Sequence, residues 1–493
     1  MSPAGRRLWW PPLALVAVSI CSGCGPPLPR PLDGEGAEGE VRGRDEQRPP
    51  PSQPTTRPDD LLHPSSAPAR TRKLARRVRS ALNIIQPNYD ASRRFLQLRA
   101  AILCSSGFPW KGKEPVPVAV AVGVRSLLRA AAVLAPSDLR FALGGAPYPG
   151  GMQVNVPCFH RATSIELQGL DLAFAESSPK CFPSLERLVL SGCRATISNW
   201  VRRSPRLLVL RVSTVTNDGL KIIIVRSKSL QELSVETKIP FLGNKPPLLD
   251  NVNIEAPLLK QLTISFAAGG YYNNLLVSVS APLLEKVSWK CAYFTAAAGL
   301  GRWGLLHVGL KPVETNNGQG HLPHIHVLSL SAETHSSYMF SGAAQELRFK
   351  AEIKKHMLIG FSMLELRIMT SGHVYGAFAL RVLELDGIFA LIKTLKIVLV
   401  TSEGKEACPE NCRCEEPKDW RTQSIYLPNL EEVEIRGEDH EFDFWKLVIS
   451  GAPNLKRVVM DKPSNEVKMD SWRMKIITIL GPGIAIAGGC DGA

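Results

Sequence analysis

The chain has 493 residues, of which 44% are hydrophobic and 21% charged, which is typical of two or three folded domains or one long repeat array. The formal net charge is +14, but much of the Lys/Arg excess lies in the first hundred residues, and no basic stripe interleaved with aromatic residues follows it. We therefore expect no nucleic-acid partner, and eleven irregularly spaced cysteines favour a reducing compartment over a disulfide framework.

Residues 1–56 are a Pro- and charge-rich leader that we predict to be disordered. Its apolar run from Leu8 to Ile20 resembles a secretory signal, although Pro11 and Pro12 interrupt it. The run is too short to span a membrane, and the chain has no Asn-x-Ser/Thr acceptor. We expect a protein of the cytoplasm or nucleus with no membrane partner; the alternative is secretion, if the run acts as a signal peptide.

A repeat of the form P-x-L-x-x-L-x-L organises the chain downstream of residue 81. It occurs in FPSLERLVL (182–190), SPRLLVLRV (204–212), APLLKQLTI (256–264), APLLEKVSW (281–289), LPHIHVLSL (322–330), LPNLEEVEI (427–435) and APNLKRVVM (452–460). Weaker copies without the proline lie at Leu230/Leu233/Val235, Leu380/Leu383/Leu385 and Ile392/Leu395/Ile397. The leading leucines at 185, 207, 230, 259 and 284 are 22, 23, 29 and 25 residues apart, which is the range of leucine-rich repeats.

The repeat predicts one short strand per unit. Its last two apolar positions are two residues apart and so point to one face, while the proline pre-sets an extended approach to the strand. A single buried row cannot be covered within one unit, so the units must stack. We predict an α/β fold: an irregular leucine-rich-repeat solenoid with parallel strands over residues 81–400. The alternative, ordinary strands of a sandwich, explains neither the shared proline nor the unit length.

The strand positions that do not point to the core are candidates for a target-binding face. They include Glu186, Arg187, Lys260, Gln261, Glu285 and Lys286. Their chemistry is mixed and indicates no ligand class, but repeat proteins of this kind most often bind other proteins.

Two motifs resemble ligand sites but lack the required context. GLGRWG has the dinucleotide-binding spacing at Gly299, Gly301 and Gly304, but LLHVGL after it alternates like a strand instead of starting a helix. In HLPHIHVLSL, the repeat register sends Ile325 inward and leaves His324 and His326 at the surface, with His321 nearby. We expect a glycine-rich loop and surface histidines respectively.

The segment CPENCRC contains three thiols, Cys408, Cys412 and Cys414, within seven residues. A structural zinc site needs four ligands, usually in two pairs, and no second pair follows. We expect a reduced loop and no metal, with zinc as the alternative. The chain has no Ser/His/Asp signature, P-loop or H-E-x-x-H motif, so we expect no catalytic residues, no cofactor and no enzymatic activity.

The segment from Cys408 to Met460 resembles the FBD module of plant F-box/leucine-rich-repeat proteins, especially those of grasses. The matching features are the Cys-rich loop, Trp420, LPNLEEVEI, the Gly-Glu-Asp-His-Glu turn at 437–441, and APNLKRVVM. We expect residues 401–465 to cap the solenoid with two strands and a helix that has Phe444, Leu447 and Val448 on one face, followed by a tail over 466–493. The resemblance implies a substrate-recognition subunit of an SCF-type ubiquitin ligase, with a Skp-type adaptor and cullin complex as partners and a protein target.

Residues 57–80 resemble the two ends of an F-box. The corresponding residues are Pro58, Asp59, Asp60, Leu61, Leu62 and Leu74. The family has an apolar helix between them, where this chain has PSSAPA, with two prolines that would break a helix. We therefore predict a degenerate F-box with weak or absent adaptor binding. The alternatives are a stand-alone scaffold or decoy for the whole chain, and a basic linker for this stretch.

Overall fold

The computed structural model describes residues 15–21, 95–103, 118–144, 153–174, 181–214, 221–237, 248–269, 275–293, 298–313, 325–334, 342–385, 387–400, 408, 412–416, 418–437, 441–460 and 485–488. The strands are β1 (Leu15–Cys21), β2 (Phe95–Leu103), β3 (Asp138–Gly144), β4 (Val154–Asn155), β5 (Ser164–Gln168), β6 (Leu172–Ala173), β7 (Arg187–Ser191), β8 (Val209–Thr214), β9 (Ile222–Arg226), β10 (Glu232–Thr237), β11 (Asn251–Glu255), β12 (Gln261–Ala268), β13 (Leu276–Ser280), β14 (Lys286–Tyr293), β15 (Gly299–Leu300), β16 (Trp303–Pro312), β17 (His326–Thr334), β18 (Met363–Met369), β19 (Thr394–Val400), β20 (Glu432–Arg436), β21 (Arg457–Met460) and β22 (Ala485–Gly488). The helices are α1 (Val118–Leu134), α2 (Ile197–Arg203), α3 (Ala343–Lys355), α4 (Gly376–Leu383), α5 (Ile388–Leu391) and α6 (Phe442–Ser450), with 3-10 turns at Arg413–Glu415 and Trp420–Thr422. Among these helices, none combines the length and the apolar character that crossing a bilayer requires.

The described residues belong to two compact units, one within Met1–Phe159 and Gly169–Glu176, the other within His160–Gln168 and Ser177–Ala493. In the first unit β1, β2 and β3 pair in parallel, and β4 pairs in parallel with β6. Helix α1 buries Val124, Leu127, Leu128 and Ala131, which share one face at helical spacing.

Strand β1 lies inside the leader that we predicted to be disordered. Its sequence LVAVSIC is apolar and rich in β-branched residues, which suits a strand, and it pairs with β2 along its whole length. The structure describes a strand at these seven residues of the leader. The rest of 1–56 lies outside the described residues, and its disorder stays a prediction.

The second unit is built on a mostly parallel sheet, which confirms the predicted α/β class. Its strands follow the order β5, β7, β8, β10, β12, β14, β16, β17, β18, β19, β20, β21, β22, and neighbours are parallel except around β16. Strand β16 runs antiparallel to both β14 and β17, and β15 forms a hairpin with it. The predicted parallel arrangement of strands therefore has an exception at β16.

A second parallel sheet, β9–β11–β13, alternates along the chain with the main sheet. The chain passes from β8 to β9, β10, β11, β12, β13 and β14, so successive strands belong to the main sheet and to the second sheet in turn. Before β8 a helix replaces the second strand: α2 lies between β7 and β8 and contacts β9.

The apolar strand positions of the repeat form continuous buried rows. One row joins, in register, Leu188, Leu210, Leu233, Leu262 and Val287, and the next joins Leu190, Val212, Val235, Ile264 and Trp289; all are at most 3% exposed. Burial of such side chains is the main favourable term in folding, which is why the units stack.

The spacing of proline and leucine that the repeat units share has a different local cause from the one we expected. The N–H of the first leucine donates to the carbonyl three residues earlier, as in Leu185 to Phe182 (3.3 Å) and Leu259 to Ala256 (3.0 Å). The same bond occurs at Leu207, Leu284, Leu430 and Leu455. The proline thus occupies the second position of a β-turn, which its fixed φ suits, and does not set an extended approach.

The weak repeat copy at Leu380/Leu383/Leu385 is not a strand. Leu380 and Leu383 lie in α4, and both are buried. Residues i and i+3 lie on one face of a helix, and the repeat has the same spacing between its first two leucines. The leucine pattern alone therefore does not distinguish a helix from a repeat strand. The strand of this unit is β18, which buries Leu364 and Leu366 and has no proline before it.

Candidate functional site

The structure places all six predicted target-face residues on the main sheet or at its strand starts. Arg187, Gln261 and Lys286 belong to one cross-strand row, which Val209 and Glu232 complete on β8 and β10. Glu186, Lys260 and Glu285 precede the same strands; Glu285 N–H donates to the carbonyl of Lys260 at 2.9 Å. Five of the six are exposed and Lys286 is half-buried.

The exposed side of the main sheet carries ion pairs between basic and acidic side chains. Arg211 Nε lies 2.5 Å from Glu232 Oε1, and this hydrogen bond raises the pKa of the guanidinium. Further along the sheet, Lys396 pairs with Glu434 at 3.0 Å. This side of the sheet therefore carries both signs of charge at these positions.

The histidine motif is placed differently from the prediction. His326 is 2% exposed, and its Nε2 accepts the N–H of Val287 at 3.2 Å, whereas Ile325 is 44% exposed. The predicted register, with Ile325 inward and His326 at the surface, is wrong because the neighbouring strand β16 is antiparallel and ends at Pro312, opposite His326. His321 and His324 lie outside the described residues.

The glycine motif forms a hairpin. Gly299 pairs with Gly304 and Leu300 with Trp303, and Gly301 takes the left-handed φ of 63° in the turn between them. This is the strand-like continuation that the sequence predicts, and it places Arg302 at the hairpin tip.

The Cys-rich loop meets a histidine from another part of the chain. His373, Cys408, Cys412 and Cys414 each direct one ligand atom into a cluster in which all four atoms lie within 4.8 Å of one another. His373 Nδ1 is 3.2 Å from the sulfur of Cys408 and 3.5 Å from that of Cys412, and the sulfurs of Cys408 and Cys414 are 3.4 Å apart. The sequence argument against a metal was the lack of a fourth donor beside the three cysteines, and the fold brings His373 to that place.

Tight backbone structure holds both halves of this cluster. His373 sits in the turn between β18 and α4, where its N–H donates to Thr370 O at 2.8 Å and Ser371 has a φ of 44°. Cys412 and Cys414 flank the start of the first 3-10 turn, which contacts α4. Both are buried, while Cys408 and His373 are half-buried.

The electrostatic environment favours a thiolate at Cys412. Burial opposes its ionisation, but the backbone N–H of Cys414 and the guanidinium of Arg302, whose Nη1 lies 3.3 Å from the sulfur, lower the pKa of Cys412. Burial raises the pKa of Cys408 and of Cys414. Burial and the positive charge of Arg302 lower the pKa of His373, which keeps its imidazole neutral.

A second buried polar cluster connects β14 to α3. Trp289 Nε1–H donates to His356 Nδ1 at 2.8 Å, so a neutral His356 carries its proton on Nε2, 2.7 Å from the hydroxyl of Tyr293. That hydroxyl donates to Glu352 Oε1 at 2.8 Å. Burial lowers the pKa of His356; burial opposes ionisation of Glu352, but hydrogen bonds from His356, Lys355 and Tyr293 lower its pKa to about 2.

Glu441, the last residue of the Gly-Glu-Asp-His-Glu turn, binds the N-terminus of α4. Its carboxylate accepts the N–H of Tyr375 and, at 2.9 Å, the N–H of Gly376. Burial raises the pKa of Glu441 to about 7 despite these two donors. A Cβ at Gly376 would approach the Trp420 ring to 2.4 Å, so this contact requires glycine.

Within residues 401–465, β20, α6 and β21 follow one another, and Phe444 and Val448 of α6 are buried. Trp445 and Ile449 are also buried, while Leu447 is half-buried. The predicted adaptor-binding residues at 58–62 and Leu74 lie outside the described residues. Comparison of the chain with family models, with curated proteins and with solved structures gives no significant match.

Proposed function

We propose that the chain is a protein-binding receptor built as an irregular leucine-rich-repeat solenoid, of the kind that selects substrates for an SCF-type ubiquitin ligase. The observation that carries the proposal is the outward-facing row in register across β7 to β14, beside the buried apolar rows. Arg187 and Gln261 of this row are exposed, Glu232 and Lys286 are half-buried, and Val209 is its one apolar member. Five strands at a spacing of about 4.8 Å make such a row about 19 Å long, which suits a protein surface.

Local bonds between successive units support the solenoid. The side chain of Asn454, in the turn before β21, donates to Pro428 O at 2.7 Å, and Asn429 likewise donates to Ala390 O at 2.7 Å. Ser229 Oγ does the same to Pro205 O at 3.0 Å. At these three positions the turn is hydrogen-bonded to the unit before it, as expected for a stack in which units contact their neighbours.

A receptor of this type needs no reactive group of its own. It raises the effective concentration of a bound target near the ubiquitin-charged partner, provided that an adaptor holds it there. The sequence PSSAPA at 64–69 removes the apolar helix of an F-box, so we expect weak adaptor binding. A stand-alone scaffold is the second candidate, and this same segment favours it.

Adaptor recruitment is tested by co-expressing the full chain with a Skp-type adaptor and measuring the ratio of the two after size-exclusion chromatography. The matched variant is Leu61→Asp/Leu62→Asp. Stoichiometric recovery that this variant abolishes supports a ligase subunit. Recovery at background level, the same for both chains, supports the scaffold.

The target face is tested by a charge swap, Lys260→Glu/Glu285→Lys, which leaves the net charge unchanged. The control is the same kind of swap on the second sheet, Arg226→Glu/Glu255→Arg, where the native pair is 3.3 Å apart and exposed. We expect cross-linked partners in a plant cell extract to be lost from the face variant and kept by the control. Identical partner sets for the two variants would refute binding through this face.

A further inference from the structure

The Cys-rich loop and the turn after β18 meet at four donor atoms that no part of the proposed receptor function uses. We propose that Cys408, Cys412, Cys414 and His373 bind one structural Zn²⁺ ion in a tetrahedral Cys3His site.

The distances between donor atoms fit this geometry. Zn–S bonds of about 2.3 Å and Zn–N bonds of about 2.0–2.1 Å place tetrahedral sulfurs about 3.8 Å apart and a sulfur and a nitrogen about 3.5 Å apart. The S–S distance from Cys408 to Cys414 is 3.4 Å, and His373 Nδ1 lies 3.2 and 3.5 Å from two of the sulfurs. The other three donor pairs lie within 4.8 Å, so side-chain shifts on the order of 1 Å complete the tetrahedron.

The donor set selects zinc among the common divalent ions. Three thiolates and one imidazole are soft or borderline ligands, which Mg²⁺ and Ca²⁺ do not prefer, and four protein ligands leave no open position for substrate. A closed site of this type is structural.

The surroundings supply an outer hydrogen bond of the kind such sites need, from the guanidinium of Arg302 to the sulfur of Cys412. Three thiolates and one Zn²⁺ leave a net charge of −1, and the guanidinium of Arg302, 3.3 Å from Cys412 Sγ, offsets it. The hairpin formed by GLGRWG thus contributes to the site.

The ion would connect two distant parts of the chain. His373 precedes α4, and the three cysteines precede β20, so zinc would fix the start of the FBD-like module against the sheet. A disulfide between Cys408 and Cys414 is the competing arrangement, but it would leave Cys412 and His373 directed at the same point without a reason.

The test uses the full chain, purified under reducing conditions without chelator, with zinc measured by mass spectrometry of the metal. We expect about one zinc per chain. Replacing zinc by Co²⁺ should give the visible absorption of a tetrahedral site with thiolate-to-cobalt charge transfer. Cys412→Ser and His373→Gln should lose most of the bound metal, while Cys158→Ser and His307→Gln, which alter a cysteine and a histidine outside the cluster, should keep it.

The variant Arg302→Met tests separately the hydrogen bond from Arg302 to the Cys412 sulfur. It keeps all four ligands, so we expect Zn²⁺ to remain bound but with an affinity about 10–100-fold lower, measured by competition with a chromophoric chelator.

The proposal is overturned by any of three results: reduced wild-type chain that contains no zinc and gives no tetrahedral cobalt spectrum, ligand variants that retain as much zinc as the controls, or a Cys408–Cys414 disulfide in protein isolated with its thiols protected. Cobalt titration of the wild-type chain needs no variant, so a ligand variant that fails to fold does not remove the test. None of these readouts depends on adaptor or target binding.

Discussion

The two halves of the second unit share buried apolar rows but differ in what accompanies them. In the regular half, from β8 to β14, strands of two parallel sheets alternate, and the buried rows of the main sheet consist of apolar side chains in register. In the irregular half, from β15 to β21, a row such as Leu328, Leu364, Leu395 and Val433 continues, but an antiparallel strand, helices and buried polar groups such as His326 and His356 accompany it. The irregular half therefore adds individual polar contacts to the apolar rows, and the candidate site lies among those contacts.

The largest effect should come from the regular half. Leu262→Ala removes a side chain that is 1% exposed and lies in register between Leu233 and Val287, so the cavity should lower the free energy of unfolding by about 2–5 kcal/mol. Urea denaturation measures it, and Gln261→Ala, at the adjacent exposed position, should change it by less than about 0.5 kcal/mol. Equal losses for the two variants would contradict stabilisation by the apolar rows.

An intermediate effect, dependent on pH, is expected where α3 meets β14. His356→Leu leaves the indole N–H of Trp289 and the hydroxyl of Tyr293 without this partner, at a cost of about 1–3 kcal/mol near pH 7.5. The pKa of His356 in the folded chain is lowered by burial, so the unfolded state binds more protons below about pH 6.5 and wild-type stability falls there.

The difference between wild type and His356→Leu should therefore narrow as the pH falls from about 7.5 to about 5.5, because the variant lacks this titration. Denaturation curves at both values measure the difference. The control is His160→Leu, at an exposed histidine, which should match wild type at both values. A difference that stays constant with pH would mean that His356 acts by packing alone.

The smallest effect is expected for the charge pair on the exposed face. Arg211 is 48% exposed at its side chain and Glu232 25%, so their coupling in a double-mutant cycle to alanine should be below about 1 kcal/mol. It should largely vanish in about 1 M salt, where the Debye length is about 3 Å. A coupling that high salt leaves unchanged would show that this pair is more than a screened surface contact.

The sequence predicted the regular half well because each unit repeats one local rule. Leu188, Leu210 and Leu262 could be placed in the core from spacing alone, since a strand has a fixed side-chain period. The same side-chain period predicted the wrong face for His326. Its placement depends on the neighbouring strand β16, and the residues around His326 do not specify which strand pairs there.

The candidate metal site was only half visible in the sequence. The three cysteines are local and conspicuous, but His373 lies 35 residues before Cys408 and approaches it only because β18 and the loop before β20 meet in the folded chain. No spacing rule connects the two segments. The adaptor and target proposals, in contrast, still rest on the resemblance and on the exposed rows.

The antiparallel strand β16 has a consequence for the order of folding. Parallel neighbours such as β10 and β12 are separated in the chain by a strand of the second sheet, whereas β16 pairs with β15 directly before it and with β17 directly after it. Closing shorter loops costs less chain entropy, and contacts between nearby segments form sooner. The reversal at β16 therefore marks the place where we expect the second unit to nucleate, with the parallel strands adding on either side.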